Sequence, residues 1–129
     1  VTRRILVVDD EPAIRHLLKQ VLSQERYQVE TASSGLEALE HLQVAPFDLA
    51  VVDLLLPGIS GLDLAEAIRM LDPGTPVILM TAYGTPVLEN LASHPAIRHY
   101  LHKPFVLERL LDLIDNDISR RIQEEAGTL

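Results

Sequence analysis

The sequence predicts a single α/β domain built on a parallel sheet, and three observations carry that prediction. Five short strand-like runs alternate with stretches whose apolar residues recur at helical spacing. The 129 residues suit one core, and 47% hydrophobic content with only 4% aromatic and no Trp makes that core aliphatic. Reactive side chains, chiefly acids, stand where the runs end: Asp9, Asp10, Asp53, Thr81 and Lys103.

The first run, Ile5–Val8, leads into Asp9-Asp10-Glu11. Pro12 suits a first helical turn, where its missing N–H costs nothing. Ala13, Ile14, Leu17, Leu18, Val21 and Leu22 then predict a helix over 12–24. Tyr27–Ala32 alternates and reads as a strand near the sheet edge. Ser34-Gly35-Leu36-Glu37 has the capping-box pattern, followed by a stripe of Leu36, Leu39 and Leu42 that Pro46 closes.

The central stretch is Leu49-Ala50-Val51-Val52-Asp53-Leu54-Leu55-Leu56-Pro57-Gly58. A continuous apolar run bounded by turn residues reads as a strand buried on both faces, with Asp53 where it gives out. A third helix follows the turn through Gly61, with Leu62, Ala65, Ile68 and Met70 as its stripe. After Asp72-Pro73-Gly74-Thr75-Pro76 comes a fourth strand, Val77–Met80, ending at Thr81. Thr85-Pro86 opens a short fourth helix over 87–92, stopped by Ser93-His94-Pro95. His99–His102 is a fifth strand, and a last helix from about Val106 carries Leu107, Leu110, Leu111, Ile114 and Ile118. Alternation of this kind requires right-handed crossovers. Strand order is open at this point, but either common doubly wound order brings the ends of the first, third, fourth and fifth strands to one crevice.

The net charge of −8 argues against nucleic-acid binding by this domain, since phosphate contacts need a basic face, and Arg120-Arg121 is too short a run to supply one. With no Cys there are neither disulfides nor thiolate metal sites. No apolar run approaches the ~20 residues that span a bilayer, so no membrane partner and a cytoplasmic location are expected. His16, His41 and His94 are scattered and read as solvated surface. His99 and His102 face opposite sides of a strand and cannot share a metal.

Three carboxylates meeting at one edge repel one another unless a cation intervenes. Oxygen ligands with room for water suit Mg²⁺, which Asp9, Asp10 and Asp53 would hold. A hydroxyl (Thr81) and an ammonium (Lys103) could hold phosphate oxygens opposite. Asp53, on the most rigid strand, is left as the nucleophile, and the chemistry is phosphoryl transfer onto a carboxylate.

Val7-Val8-Asp9-Asp10-Glu11-Pro12, Asp53 with Pro57-Gly58 and Gly61, Met80-Thr81-Ala82, and Lys103-Pro104-Phe105 together resemble the receiver domain of two-component response regulators, over Ile5 to about Ile118. The resemblance implies a flavodoxin-like (CheY-like) five-stranded sheet of order 2-1-3-4-5 with helices on both faces. It also implies phosphorylation of Asp53 by a histidine kinase or phosphotransfer protein. Asp9, Asp10, Asp53 and the backbone carbonyl of Leu55 would bind Mg²⁺; Thr81 and Lys103 would contact the phosphoryl group; Tyr100 would be the switch aromatic. The fourth helix, fifth strand and fifth helix would form the face for a homodimer or partner. The domain, residues 1–119, would be a phosphoacceptor switch rather than an enzyme, at the N-terminus of a larger regulator. Residues 120–129 would extend the last helix or begin a linker to an output domain absent from this chain. Two departures stand out: Ser93-His94-Pro95-Ala96 replaces the usual ending of the fourth helix, and the last helix runs on through Ile122.

Three rivals share parts of this pattern. A haloacid-dehalogenase phosphatase needs a second acid two residues after its Asp, where this chain has Leu55. A flavodoxin needs a phosphate loop after the first strand, where Asp9-Asp10-Glu11 would repel phosphate. A receiver-like domain that binds partners without phosphorylation is the third, and the intact acidic set speaks against it.

Overall fold

The computed structural model describes residues 2–82 and 94–127. In chain order the elements are β1 (Arg4–Val8), α1 (Pro12–Gln24), β2 (Gln28–Ala32), α2 (Gly35–Val44), β3 (Leu49–Asp53), α3 (Gly61–Leu71), β4 (Val77–Thr81), β5 (His99–His102) and α4 (Leu107–Gly127). The short helix expected over 87–92 lies outside the described residues. The strands form one parallel sheet in the order β2-β1-β3-β4-β5.

Alternation along each strand divides the core in two. Leu6, Val8, Ala50, Val52 and Leu79 face α2 and α3, where Ala38, Leu64, Ala65 and Ile68 meet them. Ile5, Val7, Val51, Ile78 and Met80 face α1 and α4, against Leu18, Leu22, Leu110 and Ile114. The aliphatic composition is the reason both layers close with so few rings: Phe47 is the largest fully buried side chain.

Three expectations need correction. Leu36 and Met70 are 63% and 86% exposed, outside the core stripes given to them. Each lies two residues, roughly 200° of helix, from a fully buried neighbour (Ala38, Ile68), which puts it on the opposite side. The capping box is only half reciprocal: Ser34 Oγ accepts from Glu37 N–H at 3.2 Å, but the Glu37 carboxylate turns to Ser33, accepting from its N–H at 3.1 Å and its hydroxyl at 2.8 Å. His94 is only partly exposed and is held on both nitrogens: its Nδ1 accepts from Ala96 N–H at 3.1 Å, which leaves Nε2 as the donor to Glu66 at 3.1 Å.

The last helix is longer than its packing stripe. Its 21 residues continue past Ile118, and the added turns lie against the base of the sheet. Arg121 reaches Asp72 at 3.2 Å and the Gly74 carbonyl, while Glu125 pairs with Arg3 at 3.0 Å. Higher on the same helix, Tyr27 donates to Asp115 at 2.6 Å.

α1 ends with its orphan carbonyls taken by the next turn: Arg26 N–H donates to Ser23 and Tyr27 N–H to Leu22. This closure puts Arg26 at φ 68°, a left-handed conformation that costs a non-glycine residue about 1 kcal/mol or more. Arg26→Gly should therefore raise unfolding free energy by about 1 kcal/mol, seen as a higher denaturant midpoint with an unchanged slope. An unchanged or lower midpoint would contradict this reading of the cap.

Candidate functional site

The register of the sheet assembles the site. Val8 pairs with Val52, Asp53 with Met80, and Thr81 with His102, so β1, β3, β4 and β5 give out at one edge. Asp9 continues β1 by donating its N–H to the Ala32 carbonyl at 3.1 Å. Leu54 N–H donates to Met80 at 2.8 Å and Gly61 N–H to Leu54 at 2.8 Å, which folds the loop after β3 back beneath the strand end. A Cβ on Gly61 would stand 2.1 Å from the Asp53 carbonyl oxygen; only glycine lets α3 begin so close to Asp53.

Asp9 and Asp53 are buried, Asp10 is exposed, and one carboxylate oxygen from each lies within 4.8 Å of the others. Lys103 is aimed into this group. Its Nζ donates to Asp9 Oδ2 at 2.8 Å, to Asp53 Oδ2 at 3.0 Å and to Glu11 Oε1 at 3.3 Å. The Lys103 N–H donates to the Thr81 carbonyl at 2.7 Å, which ties the lysine to the end of β4. Thr81 itself is fully buried.

The electrostatics follow from this packing. Burial raises the Asp53 pKa above the ordinary carboxylate value; the Lys103 hydrogen bond opposes it and the Asp9 charge adds to it. For Lys103, burial alone would lower the pKa, but the hydrogen bonds and charges of Asp9 and Asp53 outweigh it and the ammonium is held protonated. The edge thus joins a hard anionic ligand set to a fixed cation around one carboxylate.

Every residue assigned from the sequence to the acidic edge lies there. Leu55 touches Asp53 through its N–H, which donates to Oδ1 at 3.3 Å, while its side chain is 57% exposed. Tyr100 stands apart, half-buried on the α3 side of β5. By alternation Thr81 projects to the face of Leu79, which is also the face of Tyr100. Tyr83 lies outside the described residues. Two contributors were missed. Glu11 holds Lys103 and also donates its N–H to Asp9 Oδ1 at 2.9 Å, a role its place after two aspartates could have signalled. Arg15 donates to the Asp9 carbonyl at 2.7 Å, and a single helical arginine carries no such signal.

Comparison with known proteins agrees with this geometry. A family model, the response regulator receiver domain, matches residues 5–115. The response regulator protein PilR of Pseudomonas aeruginosa is 38% identical over 122 residues, covering 95% of this chain and 27% of PilR. Sporulation initiation phosphotransferase F of Bacillus subtilis is 34% identical over 112 residues, 86% of this chain and 90% of that protein. The response regulator RppA of Synechocystis is matched over 47% of its length, so the chain spans under half of two of these relatives. A CheY-like receiver domain protein of Methanospirillum hungatei superposes with TM-score 0.89 at 32% identity, covering 96% of this chain and 99% of that one. TrrA of Thermotoga maritima, solved in complex with Mg²⁺ and BeF, gives TM-score 0.78 at 38% identity over 90% of this chain and 99% of that one. The 2-1-3-4-5 sheet, the acidic edge and these matches agree, and the chain belongs to the receiver domain family of two-component response regulators.

Proposed function

We propose that this domain is a Mg²⁺-dependent phosphoacceptor that takes a phosphoryl group on Asp53 from a phosphohistidine of a histidine kinase or phosphotransfer protein. The observation that carries the proposal is the placing of Asp53: buried, backed by Asp9 and Asp10, and bridged to Lys103 at 3.0 Å. An Asp53 oxygen attacks phosphorus in line, the P–N bond breaks, and its electron pair leaves on the imidazole nitrogen, which takes up a proton. Lys103 exchanges a carboxylate contact for a phosphoryl oxygen, and the Thr81 hydroxyl donates to another.

The donor set fits Mg²⁺, because three carboxylate oxygens within 4.8 Å of one another can share a small octahedral ion. Asp9, Asp10, Asp53 and the Leu55 carbonyl would hold it, and when bound it offsets charge on the carboxylates and the incoming group. An apolar groove opens beside the site, lined by Ile14, Leu17, Ala82, Phe105 and Leu107 with Glu11 and Lys103 at its rim. Leu17 is 42% exposed there, which suits a partner that must bring its phosphohistidine against Asp53.

The output rests on the face shared by Thr81 and Tyr100. Thr81 drawn toward the phosphoryl group leaves space that the Tyr100 ring can enter, and the surface at β5 and α4 changes for a homodimer or other partner. Residues 1–119 act as the receiver and 120–129 as its C-terminal extension toward an output domain.

Treatment with acetyl phosphate and Mg²⁺ should modify Asp53 alone, as mapped by mass spectrometry. Stoichiometric labelling that survives in Asp53→Asn would sink the assignment. Millimolar Mg²⁺ should raise the melting temperature of the parent by mass action and leave Asp10→Ala nearly unmoved. A full Mg²⁺ shift retained in that variant would put the metal elsewhere. The phosphoryl group should be long-lived, on the scale of hours, because neither Leu55 nor Tyr83 offers an amide or carboxylate to position the attacking water. Such help is worth ~10²–10⁴-fold. Leu55→Asn with Tyr83→Glu should therefore speed the loss of label. Decay of the parent within seconds, with the double variant no faster, would refute this.

A further inference from the structure

At the opposite edge of the sheet, where the strands begin, a cavity of about 240 Å³ opens between the loop entering β4, the loop entering β5 and the C-terminal half of α4. Among the described residues its lining gathers four of the nine arginines of this acidic chain, Arg69, Arg98, Arg120 and Arg121, and two carboxylates, Asp117 and Glu124. Asp117 is the buried one, and it serves two arginines and a histidine. Arg98 Nε is 3.8 Å away, His99 Nε2 3.1 Å and Arg120 Nη1 3.3 Å. Arg121 is fully engaged, by Asp72, Asp48 and Glu125 and by the Gly74 carbonyl. Arg69, in the last turn of α3, makes no ion pair among the described residues.

Among the described residues Arg69, Arg98 and Arg120 are under-compensated, since Arg98 and Arg120 share Asp117, and bidentate donors of this type match oxyanions. We infer that this cavity is a binding site for a small multivalent oxyanion, a phosphate ester or a polycarboxylate, held chiefly by Arg69, Arg98 and Arg120. The volume sets the size. Pockets for drug-sized ligands run from about 300 Å³ upward, so this one takes an anion of pyrophosphate or citrate dimensions rather than a whole nucleotide. Because α4 forms one wall, an occupant would join the extension of that helix to the base of the sheet. The site shares no residue with the acidic edge and stands or falls independently of phosphorylation.

The test is an NMR titration of the isotope-labelled chain with pyrophosphate and, separately, citrate, without Mg²⁺ and at ionic strength held constant with NaCl. Saturable amide shifts at Gly74, Thr75, Ile97 and Arg98 are expected, and the tighter of the two anions names the ligand class. Arg69→Gln breaks no ion pair among the described residues and should weaken binding roughly tenfold; Arg69→Gln with Arg98→Gln should weaken it further. The single variant separates lost binding from lost folding. Shifts that do not saturate, shifts confined to the surroundings of Asp53, or parent affinity in the double variant would each overturn the inference.

Discussion

Lys103 Nζ, set between Asp9 Oδ2 at 2.8 Å and Asp53 Oδ2 at 3.0 Å, is the contact on which the acidic edge depends. Two buried carboxylates at one strand edge would otherwise repel, and burial already disfavours the charge on Asp53. The ammonium balances them from a third element, so the ends of β1, β3 and β5 are joined by charge as well as by the sheet. Under the proposed function, a divalent cation would share that balance, and Lys103 would pass from a carboxylate to a phosphoryl oxygen.

The sheet makes that contact possible by keeping everything around it fixed. β3 and β4 are buried along their whole length, and both faces are sealed by separate aliphatic layers. Gly61 lets α3 start against the Asp53 backbone, and the Glu11 and Arg15 contacts hold Asp9 from the other side. Tyr100 lies outside this packed edge, half-buried on the edge strand.

The two edges of the sheet have opposite chemistry. One collects carboxylates around a single lysine, and the other collects arginines around a single buried aspartate. α4 touches both layers of this organisation, through Leu110 and Ile114 in the core and through Arg121 and Glu125 at the base. Individual exposed pairs there contribute about 1 kcal/mol or less, so the fastening is a sum of several contacts and not one bond.

Element identity was legible in the sequence because hydrophobic period is local: the runs at 49–53 and 77–81, the Pro12 start and the Ser34 cap all appear at their expected places. The acidic edge was legible for a related reason. In a parallel sheet every strand points the same way, so residues at the strand ends must share one edge whatever the strand order. Tertiary structure alone decided the rest. Which oxygen Lys103 bonds, the turn of Glu37 toward Ser33, the pairing of His94 with Glu66 and the sharing of Asp117 by two arginines and a histidine all join residues through packing geometry, and long polar side chains leave no periodic trace. Leu36 and Met70 show the same limit from the apolar side: hydrophobicity marked them for the core, and the rotation of each helix against the sheet turned them outward.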